Sequence, residues 1–403
     1  MPDRFALVTA LRGAGWHPAA WRAADSGAER LRSLRHWRDV IVEQDRLGVD
    51  AVTVEDSFTA GPLGDDGDLD VTTVVGGLDA LLVTAAVAPA TRQIGLVPTV
   101  SVTHTEPFHV ATSVQTLDHV SSGRAGWRLQ VSPTARESAL FGRRTFPTTT
   151  SAPDDETAAA LFAEAREVAE VVSRLWDSWD DDAIIRDVRT GRFIDRDRIH
   201  NAEFRGEFVS VHGASIVPRS PQGRPPVFVL THRADAASLA VDVADVVLVT
   251  PGFDGREARD LVTEIRHLEE TDPSRTSRPV IADLAVLIEP SRALAEDELA
   301  ALDEAAGRPY ALGSGSDAAV LATTVPELVA RIGSLRDAGI AGVRLRPLRT
   351  PRDSTAIARQ LVPTLVTAGL RADVSSRPVA DLRSRLGIAP AVSRHARTPE
   401  VRA

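Results

Sequence analysis

The chain contains no cysteine, and this absence removes several chemistries at once. Without a thiol there is no disulfide, no zinc–thiolate centre, no iron–sulfur cluster and no cysteine nucleophile. Tyrosine and methionine each occur once, and aromatic residues make up only 4% of the 403 residues. A thiol-free chain fits a reducing compartment, and we therefore expect a cytoplasmic protein.

Long apolar runs and an excess of positive charge are also missing. No apolar stretch approaches the roughly 18 residues that a membrane-spanning helix needs. No basic segment followed by an apolar one opens the chain, so we expect neither secretion nor membrane insertion. The formal net charge of −10 disfavours a nucleic-acid partner.

Several catalytic motifs are absent as well. The first predicted strand is not followed by GxGxxG, and the chain has no P-loop, no HExxH and no GxSxG. Rossmann dehydrogenases, P-loop nucleotidases, zincin proteases and α/β-hydrolases therefore lack their signatures. Four histidines do lie at or just after predicted strand ends: His17, His104, His119 and His232. None forms a helical i, i+4 pair with a metal-ligating side chain, so we predict no metal centre.

What the sequence does contain is a regular alternation of apolar strands with helical segments. Apolar residues make up 43% and charged residues 25%, which is typical of globular proteins. The alternation indicates a parallel sheet, and eight repeats favour a closed (β/α)8 TIM barrel over an open doubly wound sheet. The predicted strands span residues 5–11, 51–54, 94–102, 128–132, 225–231, 246–250, 280–288 and 342–348.

We predict one barrel domain over residues 1–374 and a polar, proline-interrupted tail over 375–403. Insertions into the barrel are expected near residues 143–156, 181–224 and 289–316. Helical spacing of apolar residues is found, among other places, over residues 29–48, 70–88, 157–179, 317–338 and 354–368.

Polar residues gather at the ends of the second and third predicted strands, where the mouth of a barrel lies. Glu55 and Asp56 end the second strand, and Thr99 and Thr103 end the third. For the two acids, a helix N-cap or an ion pair with an arginine explains the pattern as well as a ligand contact does. For the histidines, a structural hydrogen bond is the alternative to a catalytic or ligand-binding role. Aromatic residues near strand ends either wall a ligand pocket or pack in the core: Trp16, Trp21, Phe58, Phe108 and Trp127.

Several longer strings carry a family resemblance. The sequence is similar to the bacterial luciferase-like flavin-dependent monooxygenases, and most of all to their nitrilotriacetate, dibenzothiophene-sulfone and pristinamycin monooxygenase branch. The resemblance covers nearly the whole chain. The strings that carry it include Leu117-Asp118-His119, Ser122-Gly123-Arg124-Ala125-Gly126-Trp127, Leu175-Trp176-Asp177-Ser178-Trp179 and Ser220-Pro221-Gln222-Gly223-Arg224-Pro225.

The resemblance implies a luciferase-like barrel that uses reduced FMN from a separate flavin reductase, together with O2, to oxygenate a small organic substrate. It also implies pairing into a homodimer. The flavin carries the oxygen chemistry, so the protein chiefly binds, orients and excludes water. We expect Glu55 or Asp56 at the polar edge of the flavin ring and hydroxyls of Thr99 and Thr103 on the ring or ribityl chain. His17 and His104 are the candidates for general base or hydrogen-bond donor.

Three positions depart from the pattern of that branch. Arg128 stands where the branch has asparagine, and Phe162 stands where a tyrosine reaches the FMN phosphate. Leu230-Thr231-His232-Arg233-Ala234-Asp235 stands where the branch has Gln-Ala-Gly and a phosphate-binding serine. Arg128, His232 and Arg233 are candidates to take over phosphate binding, since arginine is a good phosphate donor. Two alternatives stay open: a diverged, non-catalytic barrel or partner subunit with weakened flavin binding, and a deazaflavin-dependent oxidoreductase.

Overall fold

Eight parallel strands close into a barrel. The computed structural model describes residues 5–62, 68–146, 154–231, 234–253, 255–271, 277–373 and 380–396. Each strand pairs with the next along the chain, and the last pairs with the first, so the predicted (β/α)8 barrel is confirmed. The strands are β1 (Ala6–Leu11), β2 (Ala51–Val54), β3 (Gly95–Ser101), β4 (Trp127–Gln130), β5 (Val227–Thr231), β6 (Val246–Val249), β7 (Val280–Ile288) and β8 (Gly342–Pro347).

Helices surround this barrel and cover the outer faces of its strands. None of the described helices is long and apolar enough to cross a membrane. The helices are α1 (Leu34–Arg46), α2 (Ala80–Val87), α3 (Pro107–Ser121), α4 (Ala135–Phe141), α5 (Asp155–Trp176), α6 (Ala234–Val243), α7 (Gly255–Glu270), α8 (Arg292–Ala306), α9 (Val325–Asp337), α10 (Arg352–Ala356), α11 (Val362–Thr367) and α12 (Leu382–Arg385).

Two predicted helices begin later than the apolar spacing indicates. Helix α2 starts at Ala80 rather than near residue 70, because Asp79 accepts the Leu82 amide and caps the helix there. Residues 320–323, predicted as helical, instead form a short strand beside β7. The helix that follows starts at a capping box in which Thr324 and Glu327 bond each other's backbone amides.

The barrel interior is apolar near the amino ends of the strands and charged near their carboxyl ends. The apolar layer includes Val97, Phe228 and Ile281, all fully buried. Leu382 of α12 enters this layer from below and is 0% exposed. A Cβ at Gly95 would lie 2.4 Å from a Leu382 methyl, so only glycine leaves room for the leucine there. The C-terminal segment thus closes the bottom of the barrel.

The strings that carry the family resemblance meet at this same lower end. Asp118 accepts the Ala125 amide at 3.1 Å and the Gln222 side-chain amide at 2.6 Å. The Gln222 carbonyl in turn accepts the Arg383 amide at 2.9 Å. Arg124 is buried and donates to backbone carbonyls around β3, including Ile94. These residues join helices to the amino-terminal end of the barrel, which is opposite its mouth.

Candidate active site at the carboxyl ends of the strands

A cavity of about 1620 Å³ opens at the carboxyl ends of the strands. Its walls come from the loops after β1 and β2, the end of β4, and the segment after α8. A ligand pocket for one drug-sized molecule has roughly 300–1,000 Å³. The cavity therefore has room for a flat cofactor and a small second molecule. Aromatic side chains on its wall are Trp16, Trp21, Trp37 and Tyr310.

A buried ionic network forms the floor of this cavity. Arg128 Nη1 lies 2.9 Å from Glu55 Oε2, and Arg344 pairs with the other Glu55 oxygen. Asp283 receives hydrogen bonds from Arg344 and from Arg346, whose Nε lies 2.9 Å from Asp283 Oδ2. All five side chains are at most 11% exposed. A buried charge is tolerated only when it is paired in this way.

The network fixes the charge of Glu55. Burial opposes ionisation of this carboxyl, but the guanidinium groups of Arg128, Arg344 and Arg346 outweigh burial and hold its pKa below its ordinary value. Glu55 is therefore an anion and an acceptor at neutral pH. Burial has the opposite result at Asp56, where it raises the pKa. Asp56 accepts the backbone amides of Ser57 and Ala80, so it serves as the cap that links β2 to α2.

Arg128 is the residue of the network that faces both cavities. It lines the large cavity and also a smaller one of about 360 Å³ between β4, β5, α5 and α6. Its Nη1 donates to Thr99 Oγ1 at 3.1 Å and to Gln130 Oε1 at 3.0 Å. Its Nε is buried and has no hydrogen-bond partner within the described part of the chain. An unpaired buried donor costs free energy until an acceptor meets it.

The smaller cavity is mostly apolar. Phe162 lines it, as do Leu161 and Leu239, and its described polar wall residues are Arg128, Gln130 and Asp317. This is the region where the resemblance places the FMN phosphate. Phe162 has no hydroxyl to offer a phosphate oxygen.

His17, one of the two predicted catalytic histidines, borders the large cavity but is tied to the protein through both ring nitrogens. Its Nδ1 accepts the Ala19 amide at 3.1 Å, so its Nε2 is the donor to Asp303 Oδ1 at 3.0 Å. Burial lowers its pKa more than Asp303 raises it, so the ring is neutral at pH 7. These contacts anchor the loop after β1 to helix α8.

His104, the second candidate, packs in a box of phenylalanines. Its ring stacks on Phe141 with the centroids 4.8 Å apart, and Phe58 and Phe146 approach at 6.2 and 6.0 Å. The side chain lines neither of the two cavities described above. Burial lowers its pKa, with a smaller contribution from Arg144.

Other predicted cofactor ligands have protein partners or lie outside the described residues. Thr99 accepts the bond from Arg128, and Thr103 Oγ1 accepts the Ser132 amide at 2.9 Å, which ties the loop after β3 to that after β4. His232 and Arg233 fall outside the described residues. The cavity therefore gathers Glu55, Asp56 and Arg128 from the predicted set, with Thr99 beneath Arg128.

Sequence reasoning missed the arginines of β8 and their acid on β7. Arg344 and Arg346 occupy alternate positions of one strand, so both point to the same side. Asp283 is the single charged residue in the nine-residue apolar strand β7. A lone acid in a strand of this kind, together with alternating arginines in another, was the available signal for a charged barrel interior.

Comparison with known proteins agrees with this architecture. The profile of the family described as luciferase-like monooxygenase matches residues 12–363. N-acetyl-S-(2-succino)cysteine monooxygenase of Bacillus subtilis (strain 168) is 31% identical over 237 residues, 59% of this chain and 50% of that protein. Dibenzothiophene-sulfone monooxygenase of Rhodococcus erythropolis is 33% identical over 217 residues, 51% of this chain and 44% of that protein. The chain thus spans about half the length of the curated relatives it matches.

Solved structures share the fold over almost the whole chain. The crystal structure of a long-chain alkane monooxygenase has a TM-score of 0.83 at 20% identity and covers 96% of both chains. EDTA monooxygenase from Chelativorans sp. BNC1 has a TM-score of 0.78 at 19% identity and covers 96% of this chain and 99% of that one. At these identities the likeness shows the fold alone. The family profile matches well over half of the chain, and the chain therefore belongs to the luciferase-like monooxygenase family.

Proposed function

We propose that this protein is a flavin-dependent monooxygenase that uses reduced FMN and O2 to oxygenate a small organic substrate. The observation that carries the proposal is the large cavity at the carboxyl ends of the strands, with the guanidinium of Arg128, paired with Glu55, on its floor. Active sites of (β/α)8 barrels lie at this end. The relatives are named as monooxygenases with chemically unlike substrates, so the reaction type is better supported than any one substrate.

The residues present fit a flavin ring. A flavin carries two carbonyl oxygens along one edge, and these accept hydrogen bonds. Arg128 would donate to that edge through its guanidinium, which Glu55 holds in place. When bound, reduced FMN supplies the electrons that activate O2. The chain's own work is to orient the ring and to exclude water with the aromatic wall of the cavity, which includes Trp16 and Tyr310.

We also propose that the reduced flavin comes from a separate reductase. The chain has no GxGxxG fingerprint with which to hold a nicotinamide dinucleotide. A homodimer and a cytoplasmic location complete the proposal, and sedimentation velocity of the purified protein tests the first of these.

The direct test is binding of reduced FMN under anaerobic conditions, followed by O2 consumption with an added flavin reductase. We expect saturable binding and O2 uptake that depends on the reductase. Failure of both oxidised and reduced FMN to bind at high micromolar concentration would overturn the proposal. Tighter binding of a deazaflavin than of FMN would redirect it to that cofactor.

The role of Arg128 has its own test. We expect Arg128→Met to weaken reduced-flavin binding by about tenfold, because a charged donor to a buried acceptor contributes roughly 1.5–3 kcal/mol. Anaerobic titration followed by absorbance measures it. The control is Arg92→Met, which removes an exposed arginine that lines neither cavity. Equal affinity of the Arg128 variant and the unaltered protein would remove Arg128 from the flavin site.

The apolar lining near Phe162 leads to a prediction about the flavin tail. Few described residues of the smaller cavity offer a donor to phosphate, so we expect FMN to bind less than about tenfold tighter than riboflavin. Parallel titrations with the two flavins measure the ratio. A preference for FMN of a hundredfold or more would contradict this expectation and assign the phosphate to other residues, with His232 and Arg233 the first to test.

A further inference from the structure

The carboxylates that line the large cavity all have partners in the protein. Glu55 is held by two arginines, and Asp317 pairs with Arg346. Asp56 and Asp79 accept backbone amides at the start of α2. The remaining one, Glu29, pairs with the neighbouring Arg30. The negative charge of the wall is therefore already neutralised or bound.

Three arginines on the same wall have no such partner. The guanidinium groups of Arg12, Arg136 and Arg308 make no hydrogen bond or close ion pair with any described residue, and all three are exposed. Arg308 also interacts electrostatically with Asp70. This local excess of positive charge occurs in a chain whose formal net charge is −10. A cleft lined by one sign of charge attracts ligands of the other sign.

The side chain of Arg12 is held in position by its neighbours. It follows directly after β1, and its guanidinium carbon lies 5.5 Å from the ring centroid of Trp16. The Trp16 ring is itself fixed by a 2.8 Å hydrogen bond to the Ala10 carbonyl. Gly15 lets the loop pack against the end of β8, because a Cβ there would lie 2.1 Å from the Leu348 carbonyl oxygen. A positioned guanidinium loses less entropy when it binds an anion.

Asp303 brings the segment of Arg308 alongside the loop of Arg12. Its Oδ1 accepts hydrogen bonds from His17 Nε2 at 3.0 Å and from the Tyr310 amide at 2.8 Å. The rings of His17 and Tyr310 are in contact, with centroids 5.3 Å apart. One carboxylate thus fastens the two arginine-bearing segments side by side.

We propose that Arg12 and Arg308 form an anion-binding edge of the large cavity, and that the substrate is an organic acid with two or more carboxylate groups. Each guanidinium offers a planar pair of donors that matches one carboxylate. The aromatic surface of Trp16 and Tyr310 beside them packs against the carbon skeleton. The inference rests on the proposed function only in calling this anion the substrate, since the binding edge is measured without flavin.

The test compares tricarballylate with its uncharged triamide by isothermal titration calorimetry on the flavin-free protein. We expect tricarballylate to bind and the triamide to bind at least about tenfold more weakly. Arg12→Gln and Arg308→Gln should each lower the affinity for tricarballylate by about fivefold or more, and Arg12→Lys by less, because lysine keeps the charge without the fork. Added salt should weaken binding.

The matched control is Arg92→Gln, which removes an exposed arginine that lies outside the cavity and has no ion pair with a described residue. Its affinity should equal that of the unaltered protein. Unchanged thermal midpoints show that the variants fold. The proposal is overturned if tricarballylate gives no binding at about 10 mM, if the triamide binds equally well, or if both glutamine variants keep full affinity.

The phosphate of FMN is the other anion that these arginines would attract. Repeating the tricarballylate titration in the presence of saturating reduced FMN distinguishes the two. Simultaneous binding supports a substrate edge, whereas competition, together with a loss of FMN affinity in Arg12→Gln, overturns it. If tricarballylate binds as expected but neither form of FMN does, the flavin function fails and the anion-binding edge stands.

Discussion

The imidazole of His104 stacks on Phe141 with an interplanar angle of 10°, and two further phenylalanines close the box. Its Nε2 is buried and has no hydrogen-bond partner among the described residues, and the ring's remaining polar contact is with the Ser132 backbone. A phenyl ring has nearly the same shape and no polar atom that must be satisfied. The surroundings therefore favour a packing role for His104, although the sequence alone predicts a catalytic one.

We expect His104→Phe to be as stable as the unaltered protein at about pH 7.5 and more stable at about pH 5.5. Because burial lowers the folded-state pKa of His104, the unfolded chain takes up a proton as the pH falls below the ordinary value near 6.5, and the folded chain does not. Stability is thus lost on acidification, by up to about 1.4 kcal/mol per pH unit, and the phenylalanine variant avoids this loss. Thermal midpoints at both pH values measure it. The prediction is contradicted if His104→Phe gains no stability over the unaltered protein on acidification. His109→Phe, at an exposed position, is the control.

The same variant decides between packing and catalysis. We expect His104→Phe to keep both flavin affinity and product formed per O2 consumed, since the ring lines neither cavity. Loss of product at unchanged flavin affinity would instead support the catalytic role predicted from the sequence.

Although helix α12 is short, it restricts which residues fit at the amino ends of the barrel strands. Leu382 lies among the innermost side chains of the strands, and glycines at positions 95 and 126 leave space for its methyl groups. Arg383 adds a 2.6 Å ion pair to Asp245. The Asp118–Gln222 contact joins the same region, so the strings by which the family is recognised are chiefly structural.

A double-mutant cycle tests this docking. Gly95→Ala should destabilise the protein by about 1–3 kcal/mol through crowding of Leu382, and Leu382→Ala by about 2–5 kcal/mol through the cavity it leaves. The double variant should be more stable than the sum of the single effects predicts, because each change relieves the other. Urea unfolding measures all three proteins.

The control for this cycle is Gly333→Ala in α9, where a Cβ would meet no atom within 4 Å. That change should stabilise the protein by about 0.5–1 kcal/mol, as expected for glycine in the middle of a helix. Additive effects of Gly95→Ala and Leu382→Ala would show that the two residues do not touch in solution.

Across the whole molecule, the ionic network joins strands that are far apart in the chain. Glu55 on the β2 side and Arg344 on β8 are 289 residues apart, and Asp283 links β7 to β8. Five charged groups inside a closed barrel are expensive to desolvate, and they remain there because each has a partner. Such an interior would hold fixed charges against the polar edge of the proposed flavin.

We expect Asp283→Asn to destabilise the fold by about 3–5 kcal/mol, because it leaves Arg344 and Arg346 short of a buried counter-charge. The loss should hardly change with added salt, since buried pairs are poorly screened. Urea unfolding at low and high salt measures both effects. Asp39→Asn, which breaks exposed pairs with Arg35 and Arg38, should change stability by less than about 1 kcal/mol. Equal effects of the two substitutions would contradict the prediction.

The sequence by itself determined the barrel and its family. Eight apolar strands alternating with amphipathic helices allow few other architectures, because each apolar face must be covered and parallel strands need helical crossovers. It also placed Glu55, Asp56 and Thr99 at the mouth, since residues at the carboxyl ends of parallel strands meet there. Local signals missed the late start of α2 and the strand at 320–323, where a capping residue and tertiary pairing prevailed over apolar spacing.

Only the tertiary structure decided what each of those residues does. Glu55 and Asp56 are neighbours in sequence and both line the cavity, but their partners differ: Glu55 pairs with interior arginines, whereas Asp56 accepts the backbone amide of Ala80 at the start of α2. Successive side chains of a strand point to opposite faces, and which face is inward depends on the register with strands far along the chain. The partners of Glu55 come from β4 and β8, and no local pattern specifies a contact at that distance.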